Sequence, residues 1–169
     1  MITNSHDLVI TKWGARHRGR YFPCAIGRGG IGQKIGEGDG ITPVGTFRIL
    51  GLGVRPDRVA ISSCIPQFEI GPMDNWSDDP KDPAYNQLVR SNNYRFSHEA
   101  LRRADPLYDV FAILDFNYPE AKAGKGSAIF LHIWRRPRHP TEGCVAFEAG
   151  HFFGIIRNWS VHSRVVIQQ

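Results

Sequence analysis

Short apolar runs, separated by glycine, proline and polar residues, recur along most of the chain. The two longest are YDVFAILDF at 108–116 and SAIFLHIW at 127–134, and both are rich in β-branched and aromatic residues. Runs of this length and composition are typical of buried strands. In the second run, alternation places His132 on the face opposite Leu131 and Ile133.

The remaining apolar runs are shorter and stand among many glycines. Twelve of the 18 glycines fall between Gly14 and Gly53, where they favour turns between short strands. We predict an opening hairpin, with Pro23 at an edge or a bulge, and further strands later in the chain. The hairpin comprises 7–13 and 20–27, and the later strands are 44–54, 58–64 and 164–169. The pattern therefore predicts a mainly-β fold, sandwich or barrel-like, with a few short helices.

Two segments have the features of helices. Ser97 stands where an N-cap would precede a helix at 97–104, and Glu99 falls in its first turn. In 149–159, apolar residues at 152, 155, 156 and 159 follow the spacing of one helical face. We expect this second helix to pack on the core.

The segment 71–94 is polar and rich in proline, and it is too long for a simple turn. Ordered loops of this length are often functional. Trp76, Tyr85 and Tyr94 favour an ordered lid, and a floppy insertion is the alternative. No repeat or linker divides the chain, so we predict a single domain over 1–169.

Composition fits one soluble domain. The chain has 169 residues and a mass of 19.0 kDa, with 41% hydrophobic and 22% charged residues. Its net charge of +5 and pI of about 9.4 favour an anionic partner, such as nucleic acid, acidic lipid or an acidic wall polymer. Nucleic acid is the weaker hypothesis, because no RNP motif, zinc-finger spacing or basic helix is present. No apolar run reaches the length of a membrane span, and no secretory signal is visible at the start.

The letters GRGGIG at 27–32 match the G-x-G-x-x-G pattern of dinucleotide-binding proteins. That pattern requires a helix directly after the glycines. Here Gly36, Gly38, Gly40 and Pro43 follow and prevent a helix from starting. The glycines therefore indicate turns with positive φ rather than a nucleotide site.

Cys144 lies twelve positions after His132, within the stretch TEGCVAF. Pro137 and Pro140 stiffen the intervening loop, which could return Cys144 beside the strand end that holds His132. A neighbouring imidazole stabilises a thiolate and shuttles protons in acyl transfer. Because Gly143 has no side chain, a carbonyl can approach the backbone N–H groups around Cys144, as an oxyanion hole requires.

Other roles for these residues stay open on the residues alone. A histidine among apolar residues is most often a core residue, and Cys144 can equally be a buried structural cysteine. Zinc ligation by His132, His139 and Cys144 is less favoured, because the spacing fits no common zinc site. Three cysteines allow at most one disulfide, and we expect Cys24 and Cys64 to be buried.

The segments IFLHIW and PTEGCVAF together resemble the signature of L,D-transpeptidases of the YkuD family. That signature is a histidine at a strand end, a loop, and then Ser/Thr-x-Gly-Cys before an apolar residue. GDGITPVGTFRI resembles the family's Thr-Pro-x-Gly-x-aromatic segment, and YDVFAILDFN followed by GSAIFLH resembles its strands leading into the active site. Together the matching segments cover most of residues 7–147.

The resemblance implies a single L,D-transpeptidase catalytic domain over 1–169 that acts on the peptide stems of peptidoglycan. Cys144 would attack the carbonyl of the third stem residue and expel the terminal D-alanine, with His132 as base and then acid. The backbone at Gly143 and Cys144 would hold the oxyanion. An amine of a second stem would resolve the thioester and form a cross-link, whose bond type stays open.

Two rival outcomes keep the same fold. Water as acceptor would make the protein an L,D-carboxypeptidase, and loss of catalysis would leave a wall-binding domain. The resemblance implies no metal or organic cofactor, a periplasmic location and covalent inhibition by a carbapenem. We expect no nucleic acid and no membrane span, and a monomer is the favoured state.

The sequence departs from the family pattern near the cysteine. The loop from His132 to Cys144 is shorter than in many members, which predicts a more open pocket. Many members have arginine two positions after the cysteine, where this chain has Ala146. An anion contact would then come from an arginine of the loop. The predicted substrate-binding residues are Thr141, Arg136, Arg138, His98 and Tyr108.

Overall fold

The structure is a computed structural model that describes residues 3–169, and strands dominate it. The strands are β1 (Leu8–Thr11), β2 (Gly14–His17), β3 (Arg20–Phe22), β4 (Cys24–Ala25), β5 (Ile31–Gly32), β6 (Thr42–Pro43), β7 (Gly45–Phe47), β8 (Ile49–Val54), β9 (Gln67–Glu69), β10 (Asp74–Ser77), β11 (Leu88–Arg90), β12 (His98–Ala100), β13 (Val110–Leu114), β14 (Phe130–Ile133), β15 (Val145–Phe147) and β16 (Val165–Ile167). Within these residues the one helix is α1 (Ala149–Arg157). The mainly-β prediction is therefore confirmed.

Two large sheets enclose the main core. One has five strands in the order β3-β2-β1-β16-β7, and the other has six in the order β4-β15-β14-β13-β8-β9. Apolar side chains from both sheets meet those of α1 between them. The buried residues of α1 are Phe152, Ile155 and Ile156, as its spacing predicts. None of the helical structure in residues 3–169 has the length and apolar character that crossing a bilayer requires.

The six-stranded sheet is buried on both faces. In β13, Ala112 and Leu114 belong to the main core, whereas Phe111 points to a second cluster on the other face. There its ring packs on Phe130, with 4.7 Å between centroids. Burial on both faces explains why the run at 108–116 is apolar without interruption.

A small sheet, ordered β11-β10-β12, covers the second face. Trp76 on β10 is buried and packs edge-on against Phe130, with ring centroids 5.1 Å apart. The segment 71–94 therefore contributes two paired strands, β10 and β11, instead of forming a floppy insertion. That this segment closes over a site stays a prediction.

Two predicted elements are wrong. Residues 97–104 form no helix, because Glu99 lies opposite Trp76 in the antiparallel β10–β12 pair, and this pairing overrides the cap-like Ser97. Residues 58–64 form no strand, because the N–H groups of Arg58 and Val59 both turn back to the carbonyl of Arg55.

Two other predicted strands are divided where the chain changes sheets. The run 44–54 becomes β7 in the five-stranded sheet and β8 in the six-stranded sheet. The run 20–27 becomes β3 in the five-stranded sheet and β4 in the six-stranded sheet. The predicted hairpin of 7–13 with 20–27 is wrong, because β2 lies between β1 and β3, which are not direct partners. Pro23, which has no N–H to donate, stands at the change from β3 to β4.

Candidate active site

His132 and Cys144 lie on neighbouring parallel strands. β14 pairs with β15 so that His132 is opposite Ala146 and Leu131 is opposite Val145. Cys144, directly before β15, is therefore level with Phe130 and shares the face of His132. The sequence predicts that the loop returns Cys144 beside the end of the strand that holds His132. Because the strands are parallel, the loop instead returns Cys144 to the start of β14.

Both side chains line one open cavity of about 540 Å³. Ala146, opposite His132, also lines it, and its methyl group leaves the space beside the imidazole free. Trp134 forms part of the same wall. The sulfur therefore faces a space large enough for a peptide, and the structure brings together the predicted nucleophile and the predicted base.

The Cys144 thiol is held by backbone groups in the resting protein. Sγ lies 3.0 Å from the carbonyl oxygen of Ala128, to which it donates, and 3.3 Å from the Phe130 nitrogen, whose N–H it accepts. Burial raises the pKa of the Cys144 thiol to about 12. At neutral pH the resting sulfur is therefore a thiol.

The imidazole of His132 is buried and held in one tautomer. Nδ1 lies 2.8 Å from the carbonyl oxygen of Ile133, which can only accept, so Nδ1 carries the proton and Nε2 is the basic nitrogen. Burial lowers the pKa of His132 to about 4, although the hydrogen bond to Ile133 opposes this. The resting side chains are thus a neutral thiol and a neutral imidazole, the charge states that general-base catalysis requires.

This charge state predicts how Cys144 reacts with a neutral alkylating agent. Because its pKa is raised to about 12, the thiolate fraction grows about tenfold per pH unit throughout the neutral range. We expect alkylation by iodoacetamide to accelerate continuously from about pH 6 to pH 9.5. Peptide mapping by mass spectrometry resolves Cys144 from the other cysteines. A rate that levels off near pH 7 would show that the resting sulfur is a thiolate.

Tyr108 lies on the wall as predicted, and it supports the imidazole. Its ring meets that of His132 edge-on, with 5.5 Å between centroids. Its hydroxyl donates to Glu99 Oε2 at 3.3 Å. Burial, together with the nearby charge of Asp78, raises the pKa of Glu99, and burial also raises the pKa of Tyr108. A half-buried carboxylate thus stands at the same end of the cavity as the histidine.

Hydrogen bonds hold the turn before Cys144 in shape. The Thr141 hydroxyl donates to the carbonyl of Cys144 at 2.6 Å and accepts the N–H of Gly143 at 3.2 Å. The hydroxyl of Thr42 donates to the carbonyl of Gly143 at 2.9 Å. Thr141 lines the cavity, but its hydroxyl already serves this turn, so direct contact with substrate stays a prediction. The TP segment at 42–43 thereby gains a role as support of the cysteine turn.

Replacement of Gly143 should show how strictly this turn is required. Its φ of +137° is one that L side chains rarely adopt, and a Cβ there would stand 3.0 Å from the carbonyl oxygen of Ile41. We expect Gly143→Ala to lower the free energy of unfolding by about 1–3 kcal/mol and acylation at least tenfold. Gly19→Ala is the matched control, because Gly19 also has a positive φ but no atom within 4 Å of a Cβ. A Gly143→Ala protein with parental acylation would show that the turn tolerates a side chain.

Three of the five predicted substrate-binding residues lie outside the cavity wall. Arg136 and Arg138 lie in the exposed loop and are not part of the cavity wall, whose loop arginine is Arg135. His98 is exposed on β12 and points away from the cavity, because its neighbour Glu99 points in. An anion contact from Arg136 or Arg138 therefore has no support in their positions.

Several residues of the cavity wall are not predicted by the sequence pattern. Lys34 and Arg103 line the cavity, and Arg103 forms a salt bridge of 2.8 Å with Asp105. Arg135 reaches the same carboxylate at 3.6 Å. No local pattern marks these residues, since each comes from a different loop. The one related feature of the sequence is the GDG turn, whose Asp39 forms an ion pair with Lys34.

The other cysteines lie outside this cavity. Cys24 is half-buried, whereas Cys64 is exposed, so the expectation that Cys64 is buried is wrong. All three cysteines are free thiols. Among residues 3–169, no three His, Cys, Asp or Glu side chains are arranged to hold a metal ion, which leaves the considered zinc arrangement without support.

Comparison with known proteins agrees with this geometry. The family model of the YkuD L,D-transpeptidase catalytic domain matches residues 3–167. Neither the curated proteins nor the solved structures give a match to the chain. The family match spans both large sheets, the cysteine turn and the cavity. The chain therefore belongs to the YkuD family of L,D-transpeptidase catalytic domains.

Proposed function

We propose that this protein forms a thioester between Cys144 and a peptidoglycan stem peptide, and then transfers the stem to an amine of a second stem. We further propose that it does so in the periplasm. The observation that supports this most is the common position of Cys144 and His132 on the wall of one open cavity. The family's L,D-transpeptidase activity agrees with this chemistry.

Acylation begins with a neutral pair. His132 Nε2 takes the thiol proton as Sγ attacks the stem carbonyl, and a C–S bond forms. The proton then passes from Nε2 to the nitrogen of the leaving D-alanine as the C–N bond breaks. The hydrogen bond from Nδ1 to the Ile133 carbonyl steadies the imidazolium that exists between these two transfers.

The tetrahedral intermediate carries negative charge on the former carbonyl oxygen. In this proposal the backbone N–H groups of Gly143 and Cys144 donate hydrogen bonds to that oxygen and stabilise its charge. The Gly143 N–H bonds to the Thr141 hydroxyl at 3.2 Å in the resting state, which is a long contact that an oxyanion can replace. Deacylation reverses the roles, with Nε2 taking a proton from the acceptor amine and returning it to the sulfur.

Purified muropeptides separate this proposal from its rivals. Incubation of the protein with tetrapeptide stems, followed by mass spectrometry, should yield cross-linked dimers and free D-alanine. Tripeptides without dimers would show an L,D-carboxypeptidase that uses the same two residues. No turnover would leave a wall-binding domain and overturn the proposal. Fragmentation of the dimers also identifies which stem residues are joined.

A carbapenem provides an independent probe of the nucleophile. We expect one molecule of the drug to add to the protein, because ring opening by Cys144 forms a thioester that mimics the acyl intermediate. Intact-mass spectrometry measures the adduct and peptide mapping locates it. A protein with exposed Cys64 changed to serine should form the same adduct. Absence of an adduct, or modification of Cys24 instead, would contradict the assignment.

A further inference from the structure

Lys34 is a buried lysine to which the proposed reaction gives no role. Its side chain is 3% exposed, and it lines the cavity that contains Cys144. Nζ lies 2.6 Å from Asp39 Oδ1 and 3.4 Å from the carbonyl oxygen of Ile41. Burying an ammonium in this way is costly, even when it is paired. The fold thus keeps a buried cation at the cavity wall despite this cost.

The partner of Lys34 is fixed from the other side. The carboxylate of Asp39 accepts backbone N–H groups of Ile35, Gly36 and Ile41 at 2.8, 3.2 and 2.9 Å. Burial works against ionisation of Asp39, but these bonds and the one from Lys34 hold its pKa well below the usual range. Asp39 is not part of the cavity wall, whereas Lys34 is. The pair thus presents its positive end to the cavity.

That positive end borders the cysteine turn. A Cβ built on Gly143 would stand 3.5 Å from Lys34 Nζ, so the ammonium lies next to the residue that precedes the nucleophile. The lysine stem reaches this place across Gly126, where a Cβ would collide with Lys34 Cε. Because Gly126 and Gly143 have no side chains, the Lys34 side chain has space to lie beside both of them.

The remaining charges of the cavity make such a cation useful. The wall carries four carboxylates and two arginines, which are Glu37, Asp78, Glu99, Glu142, Arg103 and Arg135. Both arginines already interact with Asp105. The charge of Glu99 disfavours a thiolate at Cys144, and the charge of Lys34 favours it.

We propose that Lys34 is an electrostatic positioning residue, whose ammonium, held by Asp39, directs a fixed positive charge at the turn of Gly143 and Cys144. In the free protein this charge favours the thiolate of Cys144, which is the minor form at neutral pH. It also stabilises the oxyanion of the acylation step, and only this second effect rests on the proposed function. The alternative is a purely structural role, in which Lys34 and Asp39 do no more than anchor the loop 35–41.

A pair of alkylating agents of different charge distinguishes these roles. Iodoacetate is an anion and iodoacetamide is neutral, so a nearby cation raises the ratio of their rates at Cys144. We expect Lys34→Gln, which can still bond to Asp39, to lower that ratio about threefold and to slow both reactions. Lys34→Arg should restore the ratio, and exposed Cys64 in the same molecule provides the reference.

The outcomes decide between the two roles without any peptidoglycan. A ratio at Cys144 that Lys34→Gln leaves unchanged, whether or not the protein melts at a lower temperature, would overturn the proposal. If Lys34→Gln does not fold, the double variant Lys34→Gln/Asp39→Asn replaces it, because two amides can bond to each other, and the same fall in ratio is expected. Since alkylation requires no stem peptide, this test can succeed or fail independently of the muropeptide assay.

Discussion

Cys144→Ala is expected to abolish both D-alanine release and dimer formation from purified stems. The substitution removes the atom that forms the thioester, and no other thiol lines the cavity in residues 3–169. The fold should persist, because a methyl group replaces a half-buried thiol whose backbone contacts are weak. Product analysis by mass spectrometry measures the loss, and thermal melting measures the fold.

Cys24 and Cys64 provide matched controls for this prediction. Both are free thiols away from the cavity, so Cys24→Ala and Cys64→Ser should keep the parental rate. Turnover by Cys144→Ala at the parental rate would rule out the assignment of the nucleophile. Loss of turnover in Cys64→Ser alone would transfer that assignment to the exposed cysteine.

His132→Asn should slow acylation by about 10²- to 10⁴-fold, the usual contribution of a general base. Asparagine can still donate to the Ile133 carbonyl as Nδ1 does, but it lacks the basic nitrogen. The measurement is single-turnover acylation by a stem peptide, which isolates this step from the titration of the acceptor amine. A variant that acylates at the parental rate would show that His132 is a core residue only.

The pH dependence of acylation gives a second test of the same residue. Because burial lowers the pKa of His132 to about 4, the parent protein should acylate at a constant rate from about pH 5 to pH 9. The rate should fall below about pH 4, where the imidazole becomes protonated. In His132→Asn the residual rate should instead rise about tenfold per pH unit, since it depends on spontaneous thiolate formation. A parent rate that rises steeply through neutral pH would contradict general-base catalysis.

The elements that carry the site could be predicted because their strands are buried on both faces. Runs 108–116 and 127–134 and helix 149–159 have apolar patterns that only a core position explains. The short loop after 127–134 also indicates that Cys144 returns beside the strand of His132. The parallel register, which sets His132 opposite Ala146 and Cys144 level with Phe130, could not be predicted because it depends on the direction of the returning strand.

The errors arose where long-range pairing or loop direction decides the outcome. The pattern of 97–104 predicts a helix, but the pairing of Glu99 with Trp76 makes residues 98–100 a strand, and alternation then turns His98 outward. Arg138 has a positive φ of 56° in an exposed loop, which composition alone does not reveal. Lys34 lies 110 positions before Cys144, and only the folded chain brings it to the cysteine turn.

Detection of the acyl-enzyme is the most direct test of Cys144 as the residue that forms the thioester. The protein is mixed with a tetrapeptide stem and quenched in acid, and the mass of the intact chain and of its peptides is measured. We predict an added tripeptide acyl group on the peptide that contains Cys144, with at least one D-alanine released per adduct, and no adduct in Cys144→Ala. An acyl group on Cys24 or Cys64, or D-alanine release from Cys144→Ala, would contradict the account.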